Sequence, residues 1–484
     1  MSGTKLFSAI EKREIALIKD ADNIKSSGKR QRRPRMLDVL ESIAPLKIKC
    51  VGWGVIGLFW VLGVWAFIAQ RVGIFDALFT PMQLLTDMVL ILLGVWTIRN
   101  AWDIAVLVIY LVVSAISTIW VNELSPTFWL NGSRFYFYII FLTPIFRWIL
   151  SKKNRAIYFI EKFDASLYVF LWLQVPSMIF EYVALGGNDQ GGGTLGNYMS
   201  HIISCLIYCI SFYLMLKKWD KEKGYISNLL ANWTLIFLLC PTFMNETKVS
   251  FIYLVLYFFF LVPFNRKFMR NILITIPFIA VGLVAAVYLY LNTVDVSDEQ
   301  MSLEWLEYYV MGDDETYEIM ESMLDTYGND EDRDFMRGAK FLMLPAVLVD
   351  KPWGVWVGYG ASQYKGASVM EKTEFLRRYE WFFFGTTTLG MMTMVDLGTA
   401  GIAWLLFALA VMFGWLGPRG RFKGQLQWYL GLQVLIMMVY ASNLTILSCA
   451  LPFIYLVMLS CHWDRVEQAV AWRRQIEQSA SEKQ

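Results

Sequence analysis

Arg134, Lys248, Arg337, Arg377 and Arg378 are the residues whose type and setting point to chemistry. Arg134 and Lys248 lie near the edges of apolar runs, and the three others fall in the one long polar stretch between such runs. A charge inside a bilayer is costly unless it faces a polar cavity or its long stem carries it to the interface. Either reading accounts for any one of these residues. Several of them on one face of a membrane protein describe a surface suited to an anionic ligand. Phosphate fits best, since arginine offers a planar fork of donors and lysine a compact charge.

The other reactive residue types are sparse. His201 and His462 are the only histidines, so a histidine-rich metal centre is excluded. His201 sits about one turn into an apolar run, where a histidine is either a satisfied polar group or a candidate base. Cys50, Cys205, Cys209, Cys240, Cys449 and Cys461 all lie in or at the ends of apolar runs without metal-site spacing, and read as small membrane hydrophobes. The segment Gly186-Gly-Asn-Asp-Gln-Gly-Gly-Gly-Thr-Leu-Gly-Asn197 fits neither the phosphate-loop nor the dinucleotide fingerprint. It is either a flexible connector or a backbone lining that a ligand can approach closely, with Asn197 opening the next helix.

The scaffold that must position these residues is set by hydropathy. The chain is 57% hydrophobic and 17% charged, against roughly 25% charged for an average soluble domain. Its 34 Phe, 24 Tyr and 20 Trp suit rings anchored at membrane interfaces. Apolar runs recur near 50–70, 82–98, 104–121, 128–150, 163–185, 198–216, 227–245, 249–264, 271–291, 386–416, 426–441 and 445–462. The expected fold is therefore an all-α polytopic membrane protein of about twelve spanning helices, or about eleven if the last two runs are one. No internal repeat is visible, and no pair of interrupted runs in matching halves, which argues against an inverted-repeat transporter.

Charge gives orientation. Alternate connections are basic: Ser151–Arg155, Lys217–Lys223, Asn265–Arg270 and Gly417–Lys423, with Arg465, Arg473 and Arg474 in the tail. The positive-inside rule then places both termini in the cytoplasm. Residues 1–49 form a basic cytoplasmic segment with Lys29, Arg30, Arg32, Arg33 and Arg35 just before the first run. That position favours contact with anionic lipid over nucleic acid. Residues 50–291 carry nine spans, 292–385 a large extracytoplasmic loop, 386–462 three more spans, and 463–484 a cytoplasmic tail. The loop is acidic from Asp295 to Asp334 and basic afterwards. It shows helical apolar spacing at Leu303, Leu306 and Val310 and again at Tyr317, Met320 and Leu324, as a partly helical folded cap would.

Within the loop, Arg337-Gly-Ala-Lys-Phe-Leu-Met-Leu-Pro-Ala-Val-Leu-Val-Asp-Lys-Pro-Trp-Gly-Val-Trp-Val-Gly-Tyr-Gly360 resembles a segment of the bacterial O-antigen polymerase and O-antigen ligase superfamily. There an Arg opens a short helix that ends in Pro and is followed by Gly-x-Gly. Three more stretches agree in order: Gly193–Asn197, Glu246-Thr-Lys-Val-Ser250 with Lys248 in place of an arginine, and Val395-Asp-Leu-Gly-Thr-Ala-Gly401. The resemblance implies a class C glycosyltransferase-like fold in the bacterial cytoplasmic (inner) membrane, working without a metal or other cofactor. Its substrate would be an undecaprenyl-diphosphate-linked oligosaccharide and its product a growing glycan chain, with the lipid bilayer and a chain-length regulator as partners. Arg337, Arg378 and Lys248 would stabilise the departing diphosphate, and Glu246, Glu380 and His201 are candidate bases. Arg134, Arg377, Asn197, Gly358, Tyr359 and Gly360 would bind substrate. Ligases usually place a His-Asn pair before the acidic-Gly stretch, and here Phe384-Gly-Thr-Thr-Thr388 has no histidine. That departure favours the polymerase over the ligase. A lipid-linked oligosaccharide flippase is the non-enzyme alternative, disfavoured by the large loop.

Overall fold

The computed structural model describes residues 46–72, 79–185, 191–196, 199–220, 222–244, 247–263, 268–293, 311–325, 335–364, 371–385 and 388–481. Among them the fold is all-helical, without a strand. The first helices are α1 (Leu46–Val72), α2 (Phe79–Thr97), α3 (Ala101–Ala115), α4 (Pro126–Leu150) and α5 (Lys153–Leu185). After a buried turn at Gly193–Leu195 come α6 (Ser200–Lys218), α7 (Tyr225–Ala231), α8 (Trp233–Phe237), α9 (Val249–Leu261) and α10 (Phe268–Thr293). The loop region holds α11 (Asp314–Asp325), α12 (Arg337–Leu348), α13 (Gly354–Val357) and α14 (Glu374–Phe383). The chain continues through α15 (Leu389–Met412), α16 (Gly424–Val439), α17 (Leu447–Cys461) and α18 (Trp463–Ser481).

Each apolar run in the sequence is helical over most of its described residues. Among the described residues, six helices are long and apolar enough to cross a membrane, or up to eight if each of two bent pairs is one crossing. The other runs fall short of that measure for separate reasons. Pro81–Thr97 and Val249–Leu261 are shorter apolar helices. α4 is long enough, but Arg134, Arg147, Asn131 and its Trp and Tyr residues lower its hydropathy.

Burial sorts the helices by place. α6 is buried over 89% of its apolar window, whereas α10 is buried over only 11%. α17 is buried along its length and packs on α4. Along α10, Met269, Leu273, Ile276, Val281 and Val284 are exposed, the face a lipid-contacting helix presents.

Charges buried among these helices are paired, as low dielectric requires. Arg147 forms an ion pair with Asp103, and its Nη2 donates to the Val411 carbonyl at 2.7 Å. Asp164 accepts hydrogen bonds from Tyr213 at 2.6 Å, Lys217 at 2.7 Å and Tyr455 at 2.8 Å. The basic connections meet at that end of the bundle. Arg465 donates to the carbonyls of Leu150 and Ser151, Arg421 pairs with Glu467, and Arg473 reaches Glu161.

Three interruptions lie inside runs that the sequence shows as continuous. α3 ends in a π-helical turn, Ile116–Val121. α7 meets Trp233–Phe243 at 70° across Asn232. Gly398 breaks α15 at φ 64° and ψ −159°. Hydropathy cannot register them, because a single Gly or Asn barely alters the mean of a long window.

The loop is partly helical, as expected. Asp313 caps α11, its carboxylate accepting from the Thr316 hydroxyl at 2.5 Å and backbone N–H at 2.9 Å, and these bonds hold its pKa below the usual carboxylate value. Of the predicted apolar positions on α11, Met320 is fully buried, with Tyr317 and Leu324 partly so. Leu303, Leu306 and Val310 lie outside the described residues. α14 buries Phe375, Leu376, Tyr379, Trp381, Phe382 and Phe383. Phe375 stacks on Tyr359 with ring centroids 4.0 Å apart, and Tyr364 meets Phe383 at 4.7 Å. The cap thus has an aromatic core of its own.

Candidate functional site

The cap is fastened to the helical bundle at a joint built around the broken turn of α15. Asp396, 1% exposed, accepts hydrogen bonds on its carboxylate from the Tyr136 hydroxyl at 3.2 Å and the Gln363 and Tyr364 backbone N–H groups at 3.1 and 3.0 Å. Its main-chain carbonyl takes two more, from Ser117 Oγ and from the Gly360 N–H, each at 3.0 Å. Tyr359 N–H donates to the Val395 carbonyl at 2.8 Å, and Thr118 Oγ1 accepts from Ala361 N–H at 2.9 Å. Such pairing satisfies a buried carboxylate and the free backbone groups of an interrupted helix.

Close backbone approach makes the joint possible. A Cβ on Gly358 would lie 2.6 Å from the Asp396 carbonyl carbon, and one on Gly398 would lie 2.5 Å from Val357 N. Both glycines have φ near +70°, at 72° and 64°, a region that other residues reach only with strain. The Gly358-Tyr359-Gly360 segment therefore sits inside the joint. Tyr359 is buried, its hydroxyl donating to the Val347 carbonyl at 3.0 Å and accepting from Lys351 N–H at 3.1 Å. Burial and the Asp350 carboxylate push the neighbouring Tyr379 phenol up to about 12.

The cations divide into groups. Arg337 opens α12, as the sequence motif implies, and its guanidinium carbon lies 4.3 Å from the centre of the Tyr440 ring. α9 runs beside α6 in the same direction, with the Tyr253 ring 5.7 Å from that of Tyr208 and the Tyr257 hydroxyl 3.1 Å from Ser211 Oγ. Lys248 caps α9 one turn before Tyr253, and His201 stands at the start of α6. Tyr253 also lies near Cys205, one turn along α6 from His201. α16 runs antiparallel to α6, from Tyr429 against Phe212 to Gln433 beside Cys205, so His201 and Lys248 at the starts of α6 and α9 lie at the end of the bundle where α16 ends and Arg337 meets Tyr440.

Arg378 and Arg134 are each bound by a carboxylate. Arg378 pairs with Asp350 at 2.9 Å and donates to the Leu324 carbonyl at 3.3 Å, joining α14 to the end of α12 and to α11. Arg377 and Glu380 are exposed on α14, with Glu380 paired to Lys372. Arg134 pairs with Asp87 at 3.2 Å, and Tyr138 donates to the same carboxylate at 3.0 Å, tying α4 to α2. Glu246 and Asn197 lie outside the described residues.

The Gly-rich segment is anchored where it is described. Gly193 N–H donates to Glu181 at 2.6 Å and Thr194 N–H to Gln174 at 3.1 Å, holding a buried turn against α5 and α1. Sequence reasoning assigned no role to Tyr440, Asp350 or Lys340. Lys340 is fully buried and donates to the Phe384 carbonyl. Its spacing three residues after Arg337 was a usable signal, since that places both on neighbouring turns of one helix. Among the described residues, no three His, Cys, Asp or Glu side chains converge as metal ligands would. A scan against protein-family models finds no match for the chain, and no curated protein sequence matches it.

Proposed function

We propose that the protein is a glycosyltransferase that joins undecaprenyl-diphosphate-linked repeat units into a surface polysaccharide, without a metal. In this reading it crosses a bacterial cytoplasmic membrane about twelve times, both termini are cytoplasmic, and the cap lies on the extracytoplasmic side. The observation that carries the proposal is that Arg337, at the start of α12, rests on Tyr440 at the end of the bundle where α6 and α9 start with His201 and Lys248. These residues sit at the end of the bundle away from the basic connections, since Gly132 near the start of α4 abuts Ala361 while Leu150 at its other end meets Arg465.

The reaction follows from this placement. A sugar hydroxyl on one glycan attacks the anomeric carbon of another, and the bond from that carbon to the diphosphate oxygen breaks. Arg337 and Lys248 hold the departing diphosphate, and His201 takes the hydroxyl proton. Arg378 contributes from the cap when its bond to Asp350 opens. Preorganised cations supply the charge stabilisation that a divalent ion supplies in other transferases.

The test is incubation of purified protein with a synthetic lipid-diphosphate repeat unit, with and without chelator. A ladder of products that survives chelation supports the proposal. Transfer only onto a lipid A core would indicate a ligase, and no new glycosidic bond would favour the flippase reading. Loss of the ladder in chelator, restored by one divalent ion, would overturn the metal-independent chemistry.

A further inference from the structure

At the end of the bundle where the basic connections meet, a cavity of about 420 Å³ opens between α6, α7, α9, α10 and α16. Lys223, Arg270 and Lys423 line it, each from a different connection. Trp219, Tyr225 and Asn271 stand beside them. Leu216, Leu261 and Pro263 add an apolar wall, where α6 and α9 end. Gln425 fixes that wall, since its side-chain amide donates to the carbonyls of Phe260 at 3.1 Å and Val262 at 3.2 Å.

The balance of charge is positive. Among the described residues that line the cavity, three are cationic and none is acidic; Asp220 lies 3.7 Å from Lys223, both side chains substantially exposed. Arg270 and Asn271 fall in the first turn of α10 and Gln425 in the first turn of α16, so two helix N-termini add their partial positive charge. The positive-inside rule accounts for an excess of lysine and arginine on one side of the membrane. It does not require three of them, from connections far apart in sequence, to line one cavity with an apolar wall.

We propose that this cavity binds a phosphate-bearing anion, and its surroundings favour the headgroup of an anionic membrane lipid as the source. Beside Arg270, Met269 and Leu273 of α10 are exposed and apolar, with Ile276 a turn further on, so an acyl chain has a track leading away from the cations. Basic pockets between spanning helices hold anionic headgroups through the same combination of charge and apolar surface. A free phosphate would use the cations and leave the apolar wall without a partner. This site is independent of the transferase reading, because it lies at the other end of the bundle.

The experiment uses the full chain, purified in neutral detergent, and reads lipid occupancy by native mass spectrometry and thermal stability. Dioleoylphosphatidylglycerol, dioleoylphosphatidylcholine and inorganic phosphate are titrated separately. Phosphatidylglycerol is expected to bind and stabilise where phosphatidylcholine does not. The combined variant Lys223→Gln, Arg270→Gln, Lys423→Gln should weaken binding on the order of a hundredfold, at roughly fivefold per cation. A control that removes Lys152, Arg473 and Arg474 from the same end should bind like the unaltered protein. Stabilisation by inorganic phosphate at comparable concentration, lost in the same variant, supports the cavity with a soluble ligand as its source. Equal binding by the combined variant, or equal loss in the control, overturns the proposal. If the combined variant is poorly folded, Arg270→Gln alone must still weaken binding about fivefold.

Discussion

Arg337→Lys is the perturbation that most sharply separates chemistry from architecture. The guanidinium lies over the Tyr440 ring at 4.3 Å, and a contact of this kind is worth about 0.5–2 kcal/mol depending on how dry it is. Lysine can occupy the same place and keep much of that attraction, so a purely structural role predicts a small loss of stability and near-normal activity. Gripping a diphosphate is different, because it uses two parallel N–H donors that an ammonium cannot reproduce. Losing one preorganised transition-state contact costs about 3 kcal/mol, on the order of a hundredfold in rate. The two roles therefore predict rates for Arg337→Lys that differ on the order of a hundredfold.

The assay is polymer formation by Arg337→Lys and Arg337→Ala in membranes matched for protein abundance and thermal stability. Tyr440→Phe and Tyr440→Leu complete the set. Phenylalanine keeps the ring under the guanidinium and should preserve activity, whereas leucine removes the ring and should lower the rate even though Arg337 remains. Near-normal polymer from Arg337→Lys refutes the grip. Equal effects of Phe and Leu at 440 would show that the ring does not aim the arginine.

Three further outcomes follow from the geometry. Asp350→Ala should leave polymer formation near normal if Arg378 acts on substrate, whereas Arg378→Ala should lower it sharply; the ion pair itself is partly exposed and worth at most about 1 kcal/mol. Equal loss in the two variants would reduce Arg378 to a fastener of the cap. Gly398→Ala and Gly358→Ala should each destabilise the joint by about 1–3 kcal/mol from crowding, with a further ~1–2 kcal/mol from left-handed backbone, read as a lower melting temperature and faster proteolysis of the cap. Unchanged melting and proteolysis would refute the close approach. In a protein lacking exposed native cysteine, cysteines at Glu374 and Asp314 should label from outside intact cells, while those at Lys153 and Arg421 should not; the reverse pattern would invert the topology.

Much of the scaffold was legible because it depends on long-range averages. Apolar runs predict helices whatever their neighbours are, and basic connections report a side of the membrane without any contact being known. The structure places those connections in mutual contact through Arg465, Arg421 and Arg473, which no single stretch of sequence reveals. What averaging hides are the interruptions. Gly398 lies in an apolar run and alters its mean hydropathy little, yet it opens the turn against which Gly358 packs.

The functional residues show the same division. Arginine type and loop position singled out Arg337 and Arg378 equally, because sequence distance says nothing about which acid is near. In three dimensions Asp350 takes Arg378, while Arg337 faces an aromatic ring. A cation already satisfied by a carboxylate must give up that partner before it can hold a diphosphate. That holds for Arg378 and equally for Arg134, which Asp87 holds, so either acts on a substrate only after its ion pair opens.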